Sequence, residues 1–454
     1  MEKTHQRLVL RLKLLVKELI CGFILLSALL PFDAYSNEIK IISDEETEQL
    51  LAKILSPLFK AANIPFNRNN IFIVEDNSLN AFVSDGNNMF VHTGTIIKAD
   101  SISELSGVLA HETGHIMGGH ILRQKLKYQD MYEVSMISAI LAGAAAAVSG
   151  RGDAAMAVML GGQSSLLNHF TKYRADEERS ADEAAIKLLE KTNQSPAGIL
   201  NFMKKIKQDN ILSGREETPY FRTHPITNER IAFFENALKN SIYKNTETNE
   251  AFLRVKAKIK AYLQKPENTF SEYDLSRTDI PALYAQAIAY MKMLDFEKAL
   301  NKINTLISLD ENNPFFYELK GQIYLEIGKI KKAKQNFAKA YKILPASHLM
   351  QLNYAHAILE DNPDKNEAKF AVSLLNKSLI QHQSSTSWML LANAYGIIGD
   401  MAKATYASAE YSFRIGNVDV AKKQLEQAKK YKSDNSLRIK IDDLAHRLKS
   451  IDKK

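Results

Sequence analysis

From residue 43 the chain sets apolar side chains at helical intervals. Leu50, Leu51, Ile54, Leu55, Leu58 and Phe59 fall on one face of a helix whose start is marked by Ser43-Asp-Glu-Glu46, which resembles a capping box. The period then changes. Asn70-Ile-Phe-Ile-Val-Glu75, Ala81-Phe-Val83 and Met89-Phe-Val-His-Thr93 are short runs rich in β-branched and aromatic residues, with Asp85-Gly86-Asn-Asn88 as the turn between the last two. They predict a small antiparallel sheet. Glu104-Leu-Ser-Gly-Val-Leu-Ala110 returns to helical spacing. Two Ala-rich runs, 134–148 and 154–167, flank Ser149-Gly-Arg-Gly-Asp153, and each is too short to span a bilayer. They read as paired helices in the core or a mobile lid, or else as a hairpin that touches membrane or an apolar substrate.

Past Pro266 a polar stretch, Glu267 to Thr278, reads as a linker, and after it the pattern repeats. Ala287 and Gly321, Tyr290 and Tyr324, Ala299 and Ala333, and Ile303 and Phe337 all stand 34 residues apart, which is the tetratricopeptide period. The second unit is the clearest, with Tyr317, Gly321, Tyr324, Ala333, Phe337, Ala340 and Pro345 on the small, aromatic and terminating positions. Poorer copies follow around Ala355, Ala371 and Leu375, with an insertion near Asp361-Asn-Pro-Asp364, and around Trp388, Ala392, Tyr395 and Ala404. A last half unit carries Ala421, Leu425 and Ala428. Each helical hairpin needs neighbours to bury its apolar face, so the repeats stack into a solenoid with a concave surface for peptides or proteins.

The first 36 residues stand apart: Lys3, Arg7, Arg11, Lys13 and Lys17 precede an apolar stretch from Leu19 to Leu30, then Ala34-Tyr35-Ser36. This reads as a cleaved secretory signal peptide, with an uncleaved membrane anchor as the alternative. The one cysteine, Cys21, lies inside it, so the mature chain has neither disulfides nor thiol chemistry. The division expected is a signal peptide over 1–36, a catalytic domain over 37–265, a linker over 266–279 and repeats over 280–450. Of 454 residues, 45% are apolar and 24% charged, which is ordinary for folded domains. The net charge of +7 falls to +5 without the first 36 residues, too mild and too spread for nucleic acid, with room only for weak attraction to anionic membrane surfaces.

The chemistry is concentrated in His111-Glu112-Thr113-Gly114-His115. On a helix His111 and His115 lie one turn apart and can share one zinc ion, while Glu112 is placed to take a proton from the water activated there. A third protein ligand is needed. His120 is poorly placed, because continuing the helix nine residues from His111 turns it to the opposite face, and it reads as a residue behind the ligands or on the surface. The better source is Tyr173-Arg-Ala-Asp-Glu-Glu-Arg-Ser-Ala-Asp182, where Glu178 and Asp182 share a helical face and Ala181, Ala184 and Ala185 let another helix come close. Glu178 is assigned to zinc and Asp182 to orienting a ligand histidine, with Glu177 as the alternative ligand.

These motifs, with Asn80-Ala-Phe82, Gly107-Val-Leu-Ala-His111, Thr223-His-Pro225 and Arg230, resemble the HtpX/BepA-like family of zinc metallopeptidases, which are gluzincins. Arg174 departs from the pattern: the family commonly has an Arg three residues before its ligand Glu, which points to Glu177, whereas the spacing to Asp182 points to Glu178. The resemblance implies an α+β zincin-like domain, mostly helical with a small sheet, followed by an all-α solenoid. It implies one Zn²⁺ per chain and an endopeptidase in the periplasm that acts on unfolded or misassembled envelope proteins, with the outer-membrane assembly machinery as a partner. Glu112 would be the general base. His224 and Arg230 would face the oxyanion, or His224 would occupy the open zinc position at rest. Met89 to Thr93 is the strand expected to pair with an extended substrate. The other reading is a repeat-based chaperone or assembly factor with a little-used protease site.

Overall fold

The computed structural model describes residues 40–120, 122–123, 174–213 and 224–451. The expected signal segment and both Ala-rich runs lie outside them. The chain divides into Met1–Lys40, of which only Lys40 is described, and Ile41–Lys454, which holds every element below. No helix among the described residues is long and apolar enough to cross a membrane.

The first helix, α1 (Glu45–Ala61), buries the predicted stripe from Leu50 to Phe59. Its cap is Asp44, whose side chain accepts from the Thr47 amide. The strands β1 (Ile41–Ile42), β2 (Ile71–Val74), β3 (Ala81–Ser84) and β4 (Asn88–His92) form one sheet in the order β1-β2-β4-β3. The sheet is mixed, not antiparallel as expected. β2 and β4 run parallel, Ile71 opposite Met89 and Val74 opposite His92, because the chain leaves β2 for the far edge and returns inward through the β3–β4 hairpin. Ile71, Ile73, Ala81, Met89 and Val91 point into the core. On the other face Phe72 and Phe82 each stack on Phe90 at 4.8 Å.

Six helices complete this half: α2 (Thr93–Lys98), α3 (Ile102–Met117), α4 (174–191), α5 (Ala197–Ser213), α6 (Asn228–Asn240) and α7 (Glu250–Leu263). Leu55, Met89, Val108, Phe202, Phe234 and Phe252 join them in one apolar core. β3 packs against α3, and β4 is paired on both sides. β4 therefore has no edge to offer a substrate, contrary to expectation, and the edge beside α3 belongs to β3.

The segment read as a linker opens with a helix, α8 (Pro266–Glu272), which starts on a proline, buries Thr269 and packs on the first repeat helix. Five helical hairpins follow: α9 (Ile280–Lys292) with α10 (Phe296–Leu309), α11 (Pro314–Glu326) with α12 (Ile330–Ile343), α13 (His348–Glu360) with α14 (Lys365–Gln381), α15 (Ser385–Ile398) with α16 (Met401–Arg414), and α17 (Val418–Lys430) with α18 (Asn435–Ile451). The last unit is whole, not half, because α18 buries Leu437, Ile441, Leu444 and Leu448 against α17.

The acidic first turn of α1 is held by Arg68 and by groups from beyond residue 250. Glu46 takes Arg254 of α7 and the Tyr284 hydroxyl of α9, and Asp44 takes Lys258. Glu45 accepts from Ser347 Oγ at 2.8 Å and from Arg68 at 2.7 Å. Glu318 on α11 faces this cluster and accepts from Asn353 Nδ2 at 2.9 Å. Burial lifts its carboxyl to about 7, against the pull of Lys258 and with the push of Asp44, Glu46 and Glu45. Between pH 4.5, its ordinary value, and about 7 the folded chain thus holds more protons than the unfolded one. Stability should fall as pH rises through that window and level off above it. Glu318→Gln should flatten this part of a denaturant-midpoint profile and stabilise the chain at pH 8 by up to about 3 kcal/mol.

Candidate metal centre

The site is assembled where α3 and α4 cross. Ser101 caps α3 by accepting from the Glu104 amide, and every residue from Glu104 to His115 is buried. A side chain at Gly114 would set its Cβ 2.7 Å from the Ala181 carbonyl oxygen, so the two backbones touch. Gly114 and Ala181 thereby bring the carboxylate of Glu178 up to the imidazoles of α3. His224 enters from the chain before α6. It precedes Pro225, which disfavours helical geometry at His224 itself, and α6 begins only at Asn228, capped by Thr227.

Four buried side chains converge. His111 Nε2 lies 3.1 Å from His115 Nε2, 3.3 Å from His224 Nδ1 and 3.3 Å from Glu178 Oε2. Glu178 Oε1 lies 3.4 Å from His115 Nε2 and 2.9 Å from His224 Nδ1. Ligand atoms about 2.0–2.1 Å from a zinc ion stand about 3.3 Å apart in a tetrahedron, so the spacing and the His₃Glu donor set fit a zinc ion. His111, His115, Glu178 and His224 form one of two groups among the described residues that could hold a metal ion. The other, Glu45, Glu48 and His348, is already engaged by Arg68.

The electrostatics suit a cation. Burial opposes charge on His111, but Asp182 and Glu178 outweigh it and hold its pKa up to about 10. Burial takes His115 down to about 3, so its ring is neutral and free to ligate. Glu178 is also buried, yet His224 and the other two histidines keep its carboxyl well below the usual range. Burial pushes Glu112 up, with His224 and His111 pulling against it. Glu112 is 1% exposed, its Oε1 has no hydrogen-bond partner among the described residues, and His224 Nε2 lies 3.5 Å from it.

A second layer backs the first. Asp182 Oδ1 lies 2.9 Å from His111 Nδ1. Arg230 donates through Nε and Nη2 to both Asp182 oxygens, at 2.7 and 2.8 Å, and through Nη1 to the Pro225 carbonyl at 3.0 Å. Its Nη1 is also 2.9 Å from Glu178 Oε2. This fork sits behind the cluster, whereas the family resemblance aimed Arg230 at an oxyanion. Glu177 is buried but stands outside the four-residue cluster. His120, set aside on helical geometry, is buried and lies with Nδ1 2.8 Å from His115 Nδ1.

Residues 45–238 match peptidase family M48, and residues 316–346 match a tetratricopeptide repeat. The chain is 23% identical over 396 residues to the beta-barrel assembly-enhancing protease of Escherichia coli (strain K12), covering 86% of this chain and 80% of that one. It is 24% identical over 382 residues to the protein of the same name from Yersinia pestis, covering 82% and 76%. Among solved structures, a thermophilic TPR protein of Thermus thermophilus is similar at 17% identity, over 42% of this chain and 91% of that one, with a TM-score of 0.25. The chain thus carries a peptidase family M48 domain, on which the cluster at His111, His115, Glu178 and His224 lies, followed by tetratricopeptide repeats.

Proposed function

We propose that this chain is an exported zinc endopeptidase that cleaves unfolded or misassembled envelope proteins, β-barrel polypeptides of the outer membrane among them. The convergence of His111, His115, Glu178 and His224 on one point, with Glu112 alongside, carries this reading. Bound there, one zinc ion per chain supplies a Lewis acid that lowers the pKa of water and polarises a peptide carbonyl. Glu112 takes the proton as the water oxygen attacks the carbonyl carbon. It passes the proton to the amide nitrogen as the C–N bond breaks, and the new carboxylic acid gives its remaining proton to the amine, leaving a carboxylate and an ammonium. Asp182 holds His111 through Nδ1, and Arg230 acts through Asp182 and Glu178.

The client is read from three features. The names of the relatives point to β-barrel assembly, the repeats offer a surface for polypeptide, and the edge of β3 can add an extended segment beside α3. Strand addition reads backbone, so sequence preference should be loose. The signal-like start of the chain supports the periplasm, where peripheral membrane contact and the outer-membrane assembly machinery are within reach.

His224 favours a second reading for the resting state. A catalytic zinc keeps one position open for water, and His224 Nδ1, 3.3 Å from His111 Nε2 and 2.9 Å from Glu178 Oε1, would occupy that position on a bound ion. Cleavage then waits on His224 withdrawing, and until it does the repeats bind clients as a chaperone or assembly factor would. With an unfolded β-barrel polypeptide as substrate, His224→Ala should cut several-fold faster than the native chain, and both should spare the folded barrel. A native chain that digests folded and unfolded forms alike would remove the quality-control reading. A His224→Ala chain that is slower, with zinc still bound, would return His224 to the oxyanion.

A further inference from the structure

The sequence His115-Ile-Met-Gly-Gly-His120 returns an imidazole to the back of a ligand. α3 stops at Met117, Gly118 caps it, and Gly119 takes φ +61°, a left-handed conformation that side chains rarely adopt. The chain therefore doubles back, where a continuous helix would have carried His120 to the far face. His120 is 1% exposed, and its ring meets that of His115 edge to face at 4.9 Å. The room for it is made by Gly118. A Cβ at that position would lie 2.2 Å from His120 Nε2 and within 2.7 Å of two ring carbons.

The contact has a direction. His115 points Nε2 into the cluster with Glu178 and His111, so on a neutral ring that ligates through Nε2 the proton sits on Nδ1. At 2.8 Å, His115 Nδ1–H then donates to His120 Nδ1, which must be the acceptor. His120 consequently carries its own proton on Nε2, the atom over Gly118, which has no hydrogen-bond partner among the described residues. His111 has a carboxylate, Asp182, behind its Nδ1, whereas His115 has a neutral ring. A metal-binding histidine needs such an acceptor to fix its tautomer and ring plane.

We propose that His120 is a positioning residue which, in the space left by Gly118 and through the Gly119 turn, accepts from His115 Nδ1 and holds His115 in its metal-binding tautomer. This rests on the reading of His115 as a zinc ligand. The test is zinc affinity, measured by competition with a chelator at fixed pH, for the native chain and for His120→Leu, His120→Asn and Gly118→Ala. Far-ultraviolet circular dichroism serves as the folding check. His120→Leu keeps bulk without an acceptor and should weaken binding about 10- to 100-fold. Gly118→Ala leaves the imidazole intact but displaces it, and should move affinity the same way. In His120→Asn the side-chain oxygen stands where Nδ1 was and should keep affinity within about threefold of native, a small fraction of an outer-layer loss. Equal losses in the Asn and Leu variants would reduce His120 to packing and overturn the proposal. So would native-like affinity in both His120→Leu and Gly118→Ala. A native chain that binds no zinc would instead bring down the metal-site reading itself.

Discussion

Glu112→Gln is expected to cleave an unfolded polypeptide about 10²- to 10⁴-fold more slowly than the native chain while keeping its zinc. The two halves of that result have separate causes. Glu112 is not one of the four groups that converge on the metal point, so losing its charge leaves the donor set complete. Gln is nearly isosteric but cannot accept and relay the proton of an attacking water. The buried position of Glu112 raises its proton affinity above that of an exposed carboxylate, which is the tuning a base needs near neutral pH. Undiminished cleavage by the variant would remove Glu112 from the mechanism. Loss of zinc with loss of cleavage would instead show that Glu112 helps to hold the ion. Unfolded client captured by the inactive variant, measured by pull-down, would show that the repeats work independently of the chemistry.

Replacing Glu178 and Glu177 one at a time should give opposite results. Glu178 Oε1 lies 2.9 Å from His224 Nδ1 and Oε2 lies 3.3 Å from His111 Nε2, whereas Glu177 is outside the cluster. Glu178→Ala removes a ligand and should cost more affinity than the 10- to 100-fold typical of an outer-layer partner. It also takes from Arg230 one of its two carboxylate partners, Asp182 being the other, so the fold itself should weaken. Glu177→Ala should bind zinc within a few-fold of the native chain. The reverse order, read by chelator competition, would mean that the spacing from Arg174 was the better guide.

How far each feature could be read in the sequence follows from how local its cause is. The stripe of α1, the helix carrying His111 and His115, and the 34-residue period depend on neighbours a turn or a repeat away, and all lie in the fold where the pattern put them. Ala181, read as small enough to let another helix come close, meets Gly114 of that helix. The sheet was harder. Its strands were visible, but that β2 pairs in parallel with β4 across an intervening β3 depends on non-local contacts, so the edge was assigned to the wrong strand.

Other differences trace to single assumptions. His120 was turned away by extending a helix through Gly118-Gly119, although two glycines after a helix are themselves a stop signal. Glu267 to Thr278 read as linker by polarity, yet Pro266 is a typical first residue of a helix. The resemblance aimed Arg230 at an oxyanion, and no sequence rule tells a guanidinium facing substrate from one forked onto Asp182. The acidic turn at Ser43 to Glu46 read only as a cap. Its second role, meeting Arg254, Lys258, Tyr284 and Ser347, needs partners more than 200 residues away.

The zinc mechanism is tested most directly by stripping the mature chain with a chelator, adding zinc back in fractions of an equivalent, and following cleavage of an unfolded polypeptide against bound metal. There should be no cleavage without metal and a linear return that ends at one zinc per chain, absent throughout when His111 is replaced by Ala. Full cleavage by the stripped chain, or a return that ignores His111, would contradict a metal held by these residues.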